Sequence, residues 1–343
     1  MAGKRGRSWA LISIAALAVA GWHVSHQSGS VPRAALPARP PPGAAEDAVI
    51  VEPDAGLAPI DALLGSARRS LDLTMYELAD PTIESILAGD AARGVRVRVI
   101  LDRRLEGARN TPAYEFLRSR GVDARWAGGR YFATHEKAFV VDQQLAVIMS
   151  LNFTSSYYAN SRDVAVVDRD PADVAAIESV FAADFRGAAI GTPAADDLVW
   201  SPGQSEADLV ALVAGARRSV GVESEELSSE PMIRALVAAA RRGVAVTVAM
   251  TYAPQWSAGL DALASAGVLV SLHYGETPLY LHAKLLAIDA GTKDARAFVG
   301  SENLSDASLL HDRELGIVLT AARLVEQVAS TIAGDVSDGR RWR

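Results

Sequence analysis

A chain of 343 residues, half of them hydrophobic, exceeds a typical single domain and can bury one large or two moderate cores, which excludes global disorder. With 34 Lys+Arg against 41 Asp+Glu the formal net charge is -7, so no global electrostatic grip on a polyanion is indicated, although a local basic pocket can still hold one phosphate. The absence of cysteine excludes disulfides, thiolate metal sites and a cysteine nucleophile.

Residues 1–27 begin MAGKRGRSWALISIAALAVAGW: a basic start, an apolar run from Trp9 to Trp22, and a small-x-small pattern at Ala18-Val19-Ala20. This reads as an export signal, either cleaved or kept as an anchor, because the run is shorter than the about 20 residues that span a bilayer comfortably. The chain is therefore expected to be exported, as a secreted or periplasmic protein or one tethered by its N-terminus. Residues 28–48 are rich in Pro, Ala and Gly and read as a semi-extended linker, with folded structure starting near Val49.

From Ala62 the chain reads ALLGSARRSLDLTMYELADPTIESILAGDAARGVRVRVIL, and from Ala211 it reads ALVAGARRSVGVESEELSSEPMIRALVAAARRGVAVTVAM, without a gap between the copies. Ala67-Arg68-Arg69-Ser70 returns as Ala216-Arg217-Arg218-Ser219, and Gly94-Val95 as Gly243-Val244. A period this long means two similar halves rather than a solenoid. Each copy predicts an amphipathic helix ending at the Arg-Arg pair, a β-rich run, a second helix, then a strand at Val95–Leu101 or Val244–Met250. Ala138–Val141 and Ala146–Met149 read as adjoining strands, and Pro171–Gly187 as a helix closing the first half. The fold class is α/β: two similar half-domains, 49–190 and 191–343, each a mixed β-sheet flanked by helices. Gly, Thr and Pro mark the boundary near Ala188–Asp197.

His135, Lys137 and Asp142 form HxKxxxxD, and His282, Lys284 and Asp289 repeat it. Ser150-Leu151-Asn152 is answered by Ser301-Glu302-Asn303, and 11 residues beyond each asparagine stands a carboxylate, Asp163 or Glu314, each preceded by arginine. One HxK alone is a weak signal that more often marks a solvated strand edge. Repeated folding needs, however, would preserve apolar periodicity without requiring these polar groups at matching places. On a strand, residues two apart share a face, so each histidine is expected to project with its lysine. Two such pairs facing one another suit a phosphodiester. Lysines and asparagine amides hold the non-bridging oxygens, one neutral imidazole attacks phosphorus, and a protonated one serves the leaving alkoxide. A metal is not expected, since the lysine two residues from each histidine repels a divalent ion, and no cofactor is called for.

This duplicated motif resembles the phospholipase D superfamily over about Val49 to Ala333. The resemblance implies an active site at the interface of the halves and a covalent phosphohistidine. It implies His135 as nucleophile, His282 as general acid/base, and Lys137, Lys284, Asn152 and Asn303 on phosphate, with Ser150 and Ser301 hydrogen-bonding in the same set. Asp163 and Glu314 would orient the imidazoles, while Asp142 and Asp289 would support the site structurally. Two departures stand out. Met149 replaces the glycine of the family's GSxN element, which Gly300 retains, and the second copy carries four more residues after Asp289, read as a longer hairpin loop.

The motif implies reaction type better than substrate. A phospholipid at a membrane surface is favoured by the export signal, the acidic body and aromatic loops at Tyr131-Phe132, Tyr157-Tyr158 and Tyr252–Trp256. The alternatives are phosphatidyl transfer to an alcohol, as in cardiolipin synthesis, and metal-independent cleavage of nucleic acid. No obligate protein partner is implied, and a monomer carries both motifs. Glu77 and Glu226 hold equivalent places and read as helix-entry or surface residues.

Overall fold

The computed structural model describes residues 47–343 except 192, 194, 195 and 276–278; the expected export segment lies outside the described residues. The first half runs β1 (Ala48–Glu52), α1 (Ala58–Leu64), β2 (Ser70–Met75), β3 (Leu78–Ala79), α2 (Pro81–Ala92), β4 (Arg96–Leu101), α3 (Gly107–Ser119) and β5 (Asp123–Trp126). It continues through β6 (Ala138–Val141), β7 (Leu145–Met149), β8 (Phe153–Thr154), β9 (Ser161–Asp168) and α4 (Pro171–Phe185). The second half opens with β10 (Leu198–Ser201), α5 (Ser205–Gly215), β11 (Ser219–Glu223), α6 (Glu230–Arg241), β12 (Ala245–Thr251), α7 (Ser257–Ser265) and β13 (Leu269–His273). It closes with β14 (Tyr280–Leu281), β15 (Lys284–Ile288), β16 (Arg296–Gly300), α8 (Asp306–Leu310), β17 (Glu314–Leu319), α9 (Ala322–Asp338) and β18 (Arg340–Arg341).

The main sheets have the same plan, β1-β9-β7-β6-β2-β4-β5 and β10-β17-β16-β15-β11-β12-β13, the second extended by β18. In each, parallel pairs (β2 with β4 and β4 with β5; β11 with β12 and β12 with β13) join an antiparallel meander. Local chemistry sets the punctuation. Asp80 caps α2 through Thr82 N at 2.7 Å with Pro81 in the first turn, and Asp170 with Pro171 does the same for α4. Gly94 and Gly243 take φ of 88° and 87° just beyond α2 and α6, a conformation open to glycine without a Cβ penalty.

The meander strands are buried on both faces, which is why they read as continuous apolar runs rather than alternating ones. Their period of two divides them between cores. Phe139, Val141, Val147 and Met149 face the core of the first half, while Ala138, Val140, Ile148 and Val166 face Leu285, Ala287, Ala297 and Val299 of the second. This shared core, closed by Val174 and Ile177 of α4 and Leu324, Val325 and Val328 of α9, packs the two sheets face to face. Among the described residues no helix is long and apolar enough to cross a membrane.

The structure moves one expected boundary. α1 and α5 stop at Leu64 and Gly215, short of the Arg-Arg pairs. The amides of Arg68, Arg69 and Ser70 instead donate to the Asp142 carboxylate at 2.7–3.1 Å, and those of Arg217, Arg218 and Ser219 donate to Asp289 at 2.7–3.1 Å. A carboxylate that takes three successive N–H groups pins the entry to the central strand. The hairpin β15–β16 is the longer one, spanning 289–295 where β6–β7 spans 142–144.

Candidate active site

Each HxK segment is strung across onto the other half. β14 pairs in parallel with β9, with Leu281 opposite Arg162, and His282 N donates to Arg162 O at 3.2 Å. Reciprocally, Thr134 bridges to Arg313, and His135 N and Glu136 N donate to Arg313 O at 2.9 and 2.8 Å. The expected strand placement is therefore corrected. His135 and Lys137 lie in an extended segment ahead of β6, and His282 precedes β15, of which Lys284 is the first residue. Main-chain hydrogen bonds to the opposite half set the direction of the histidines, while Lys137 O accepts from Met149 N at 2.9 Å and Lys284 pairs with Gly300 in the home sheets.

That crossing decides the partners. His135 Nδ1–H donates to Glu314 Oε2 at 2.8 Å and His282 Nδ1–H to Asp163 Oδ1 at 2.7 Å, so each imidazole is oriented by the carboxylate of the other half. With Nδ1 engaged, Nε2 is the nitrogen left for chemistry. Lys137 and Lys284, each 1% exposed, turn their ammonium groups onto the carbonyls of His135 and His282. Asn152 and Asn303 are buried beside them at the ends of the turns after β7 and β16.

Ser150 and Ser301, expected beside the phosphate, are bound to the strands that carry the carboxylates. Both are fully buried; Ser150 Oγ donates to Asp163 Oδ1 at 2.7 Å and accepts from Val164 N at 2.9 Å, while Ser301 Oγ accepts from Leu315 N at 3.2 Å. Hydroxyls bound to the strands that carry the carboxylates stiffen the histidine supports instead. Ser161 Oγ adds a second donor to Asp163 at 2.7 Å, and Ser308 Oγ donates to Glu314.

The two dyads are not equivalent electrically. Burial, then Lys137 and Lys284, hold the His135 imidazole well below its ordinary range, so it is neutral near neutral pH. Burial pushes the Glu314 carboxyl up to about 7, against the pull of Lys137 and the Ser308 hydroxyl. Asp163 goes the other way: burial raises it, but its electrostatic contact and hydrogen bond with His282, then Lys284 and Ser150, outweigh that and hold it below the carboxylate range. Burial also lowers Lys137 to about 7.

A carboxylate that sequence reasoning missed completes the site. Glu225, just past β11, places Oε2 3.0 Å from Lys284 Nζ, and 3.5 Å from both His282 Nε2 and Asn303 Nδ2. Its Oε1 accepts from the Tyr280 hydroxyl at 2.6 Å. Burial pushes this carboxyl up, yet Lys284 and His282 hold it well below the usual range. The signal was in the repeat: Glu225 stands opposite Tyr76, whose ring meets His135 edge-on at 4.5 Å and lies 4.9 Å from Lys137 Nζ. Both follow a central parallel strand at its carboxyl end, where α/β sheets place ligands.

Other expectations shift. Glu77 is buried, accepting from Thr154 Oγ1 at 2.7 Å and pairing with Arg109 at 3.0 Å, rather than on the surface. Met149 does not shape the pocket; its side chain is fully buried in the core of the first half. Its counterpart Gly300 pairs with Gly316, and a Cβ on Gly300 would meet the Phe298 ring at 2.7 Å. Phe298 and Glu302 fill in the second half what Met149 fills in the first, where Val147 and Leu151 stand in their places. Of the aromatic loops, Tyr131 packs on the Arg313 guanidinium at 4.3 Å, Tyr158 donates to Asp80 at 2.9 Å, and Tyr252 stacks on Trp342. These rings are engaged with the protein, while Tyr280 is 42% exposed.

Over 105 residues, 31% of this chain, the sequence is 30% identical to the mitochondrial cardiolipin hydrolase of Homo sapiens; the match spans 41% of that relative's length. The phosphatidylserine synthase of Haemophilus influenzae has the same fold with a TM-score of 0.64 at 12% identity, covering 87% of this chain and 88% of that one. The polyphosphate kinase of Porphyromonas gingivalis reaches 0.67 at 17% identity, over 84% of this chain and 46% of that one. The family model described as cardiolipin synthase, PLD-like domain, matches twice, at residues 60–185 and 209–336. The duplicated motif, the repeated sheet and this double match together place the chain in the PLD-like family of the phospholipase D superfamily.

Proposed function

We propose that the chain is a phosphodiesterase of the phospholipase D type that releases the headgroup of a phospholipid at a membrane surface, through a phosphohistidine on His135. One observation carries this reading: two imidazoles, each held at Nδ1 by a carboxylate of the opposite half, with the two carboxyls shifted in opposite directions. In the first step His135 Nε2 attacks phosphorus, the bond to the leaving oxygen breaks, and His282 Nε2–H gives its proton to that oxygen. In the second, water or an alcohol passes its proton to His282, its oxygen bonds to phosphorus, and the phosphorus–nitrogen bond breaks. Lys137, Lys284, Asn152 and Asn303 hold the non-bridging oxygens, whose charge grows in the transition state. Water as acceptor gives hydrolysis, and an alcohol gives phosphatidyl transfer.

Lipid is preferred over nucleic acid on the net charge of -7 and on the names of two similar proteins, which concern cardiolipin and phosphatidylserine. The N-terminal export pattern would put the enzyme outside the cytosol. The test is incubation of the full chain with phosphatidylcholine vesicles, phosphatidylglycerol vesicles and single-stranded DNA in EDTA, comparing wild type with His135→Ala and His282→Ala. Headgroup release that both substitutions abolish is expected. DNA cleavage alone would overturn the lipid assignment, and full activity in both variants would overturn the two-histidine mechanism.

A further inference from the structure

The histidines, lysines and asparagines of the two halves match residue for residue, but beside them Tyr76 in the first half is Glu225 in the second. Glu225 lies 3.5 Å from His282 Nε2, the nitrogen assigned above to the leaving oxygen, so its carboxylate borders the leaving group rather than the retained ester. A phosphodiester entering this pocket brings its own negative charge to Lys284 and Asn303, the groups that Glu225 already contacts. Lys284 is then shared between two anions, and a carboxylate beside a bound phosphate weakens the binding of a diester that brings no cation to offset it.

The ring that Glu225 holds supplies the other half of such a cation site. Tyr280 donates its hydroxyl to Glu225 Oε1 at 2.6 Å, is 42% exposed, and lies 6.4 Å from the His282 ring, so a partly open aromatic ring stands beside the carboxylate. Carboxylate plus aromatic face is the pairing that recognises an alkylammonium. In choline and ethanolamine esters the ammonium stands two carbons from the ester oxygen, close enough to reach Glu225 while that oxygen faces His282. Glycerol offers no charge there, and a nucleic acid brings a further phosphate towards the carboxylate.

Building on the phosphodiesterase reading, we infer that Glu225 and Tyr280 form the leaving-group subsite and select phosphodiesters whose leaving alcohol carries an ammonium group. The same chemistry is offered by a lipid headgroup and by a soluble glycerophosphodiester, and the test separates them. Headgroup release is followed on phosphatidylcholine and phosphatidylglycerol vesicles, and on soluble glycerophosphocholine and glycerophosphoglycerol, which removes the difference in vesicle charge. The expected result is a wild-type kcat/KM ratio favouring the choline ester and falling by about tenfold or more in Glu225→Gln, as loss of a charged partner requires. Glu225→Asp should keep the preference in part.

An unchanged ratio in Glu225→Gln overturns the subsite, as does wild type favouring the glycerol ester or an oligonucleotide. Should Glu225→Gln lose all turnover, Tyr280→Ala at its exposed position decides: a weakened choline preference supports the subsite and an unchanged one overturns it. Turnover of vesicles alone identifies lipid as the source of the ammonium ester, and turnover of the soluble esters identifies the free diester. A wild-type chain that cleaves none of these substrates overturns the parent reading and the subsite with it, whereas His282-dependent cleavage with unmoved ratios overturns the subsite alone.

Discussion

Asp163→Asn and Glu314→Gln separate the roles of the two histidines. Asp163 Oδ1 accepts from His282 Nδ1 and from Ser150 at 2.7 Å each, and Oδ2 from Ser161 at 2.7 Å. Asparagine can keep its oxygen on His282 and turn its amide to Ser161, whose hydroxyl can accept, so the tautomer survives and the charge is lost. A hydrogen bond to a charged group contributes about 1.5–3 kcal/mol, and each 1.4 kcal/mol on a barrier is about tenfold. The expected loss in kcat is then about 10- to 100-fold wherever the leaving oxygen needs a proton. Release of choline from an alkyl diester needs that proton; release of nitrophenolate hardly does. The assay compares choline release from phosphatidylcholine with nitrophenolate release from phosphatidyl-p-nitrophenol under single-turnover conditions, which isolates the first step. Asp163→Asn should be impaired on the first substrate and nearly restored on the second, whereas Glu314→Gln, acting on the nucleophile, should be impaired on both. Equal losses for Asp163→Asn on the two substrates, or a leaving-group-sensitive loss for Glu314→Gln, would refute the assignment of His135 as nucleophile and His282 as acid.

The motif aspartates should behave as fold residues. Asp142→Ala or Asp289→Ala removes the acceptor of three main-chain N–H groups and leaves a residue without a polar side chain at φ of 56° or 50°. Each should cost about 2 kcal/mol in urea unfolding, a figure kept low because these groups are partly solvated, with KM of the folded fraction unchanged. Met149→Ala should likewise cost about 3 kcal/mol through a cavity and leave KM alone; a changed KM at normal stability would mean that Met149 shapes the pocket after all. Stability should fall as pH rises from 5 to 8. Burial lifts Glu136 from 4.5 to about 8 and Glu302 well above 4.5, so the folded chain binds more protons than the unfolded one across that window. Their contribution is complete below about 4.5 and is lost as pH passes the folded values, while His135, lowered from 6.5, opposes the trend only up to about that pH. Tm by calorimetry should drop by several degrees, and Glu302→Gln should flatten the drop; a rising Tm would contradict the buried carboxyl assignments. Finally, kcat/KM should decline above about pH 7 as free-enzyme Lys137 loses its proton, read from a pH profile in buffers of constant ionic strength.

The chain by itself determined the duplication, the α/β class and the reacting groups. Apolar runs such as Ala138–Val141 survive in any strand buried on both faces, and His135, Lys137, His282 and Lys284 recur at a spacing no packing rule requires. Local sequence could not say that each histidine answers to the other half. That follows from Arg162 and Arg313 offering their carbonyls to His282 and His135, a main-chain contact between residues far apart in the chain. Nor could it say that Ser150 is spent on Asp163, that Met149 belongs to a core, or that Asp142 pins the entry to β2 by taking three amides. Direction of a side chain is set by neighbours that only packing assembles. Glu225 is the clearest case: in sequence it is one of two adjacent glutamates after a strand, and only the pairing of β11 with the distant β15 brings Lys284 onto it, with His282 just ahead of that strand. Composition supplied the charges, and the crossing of the two halves decided which of them meet.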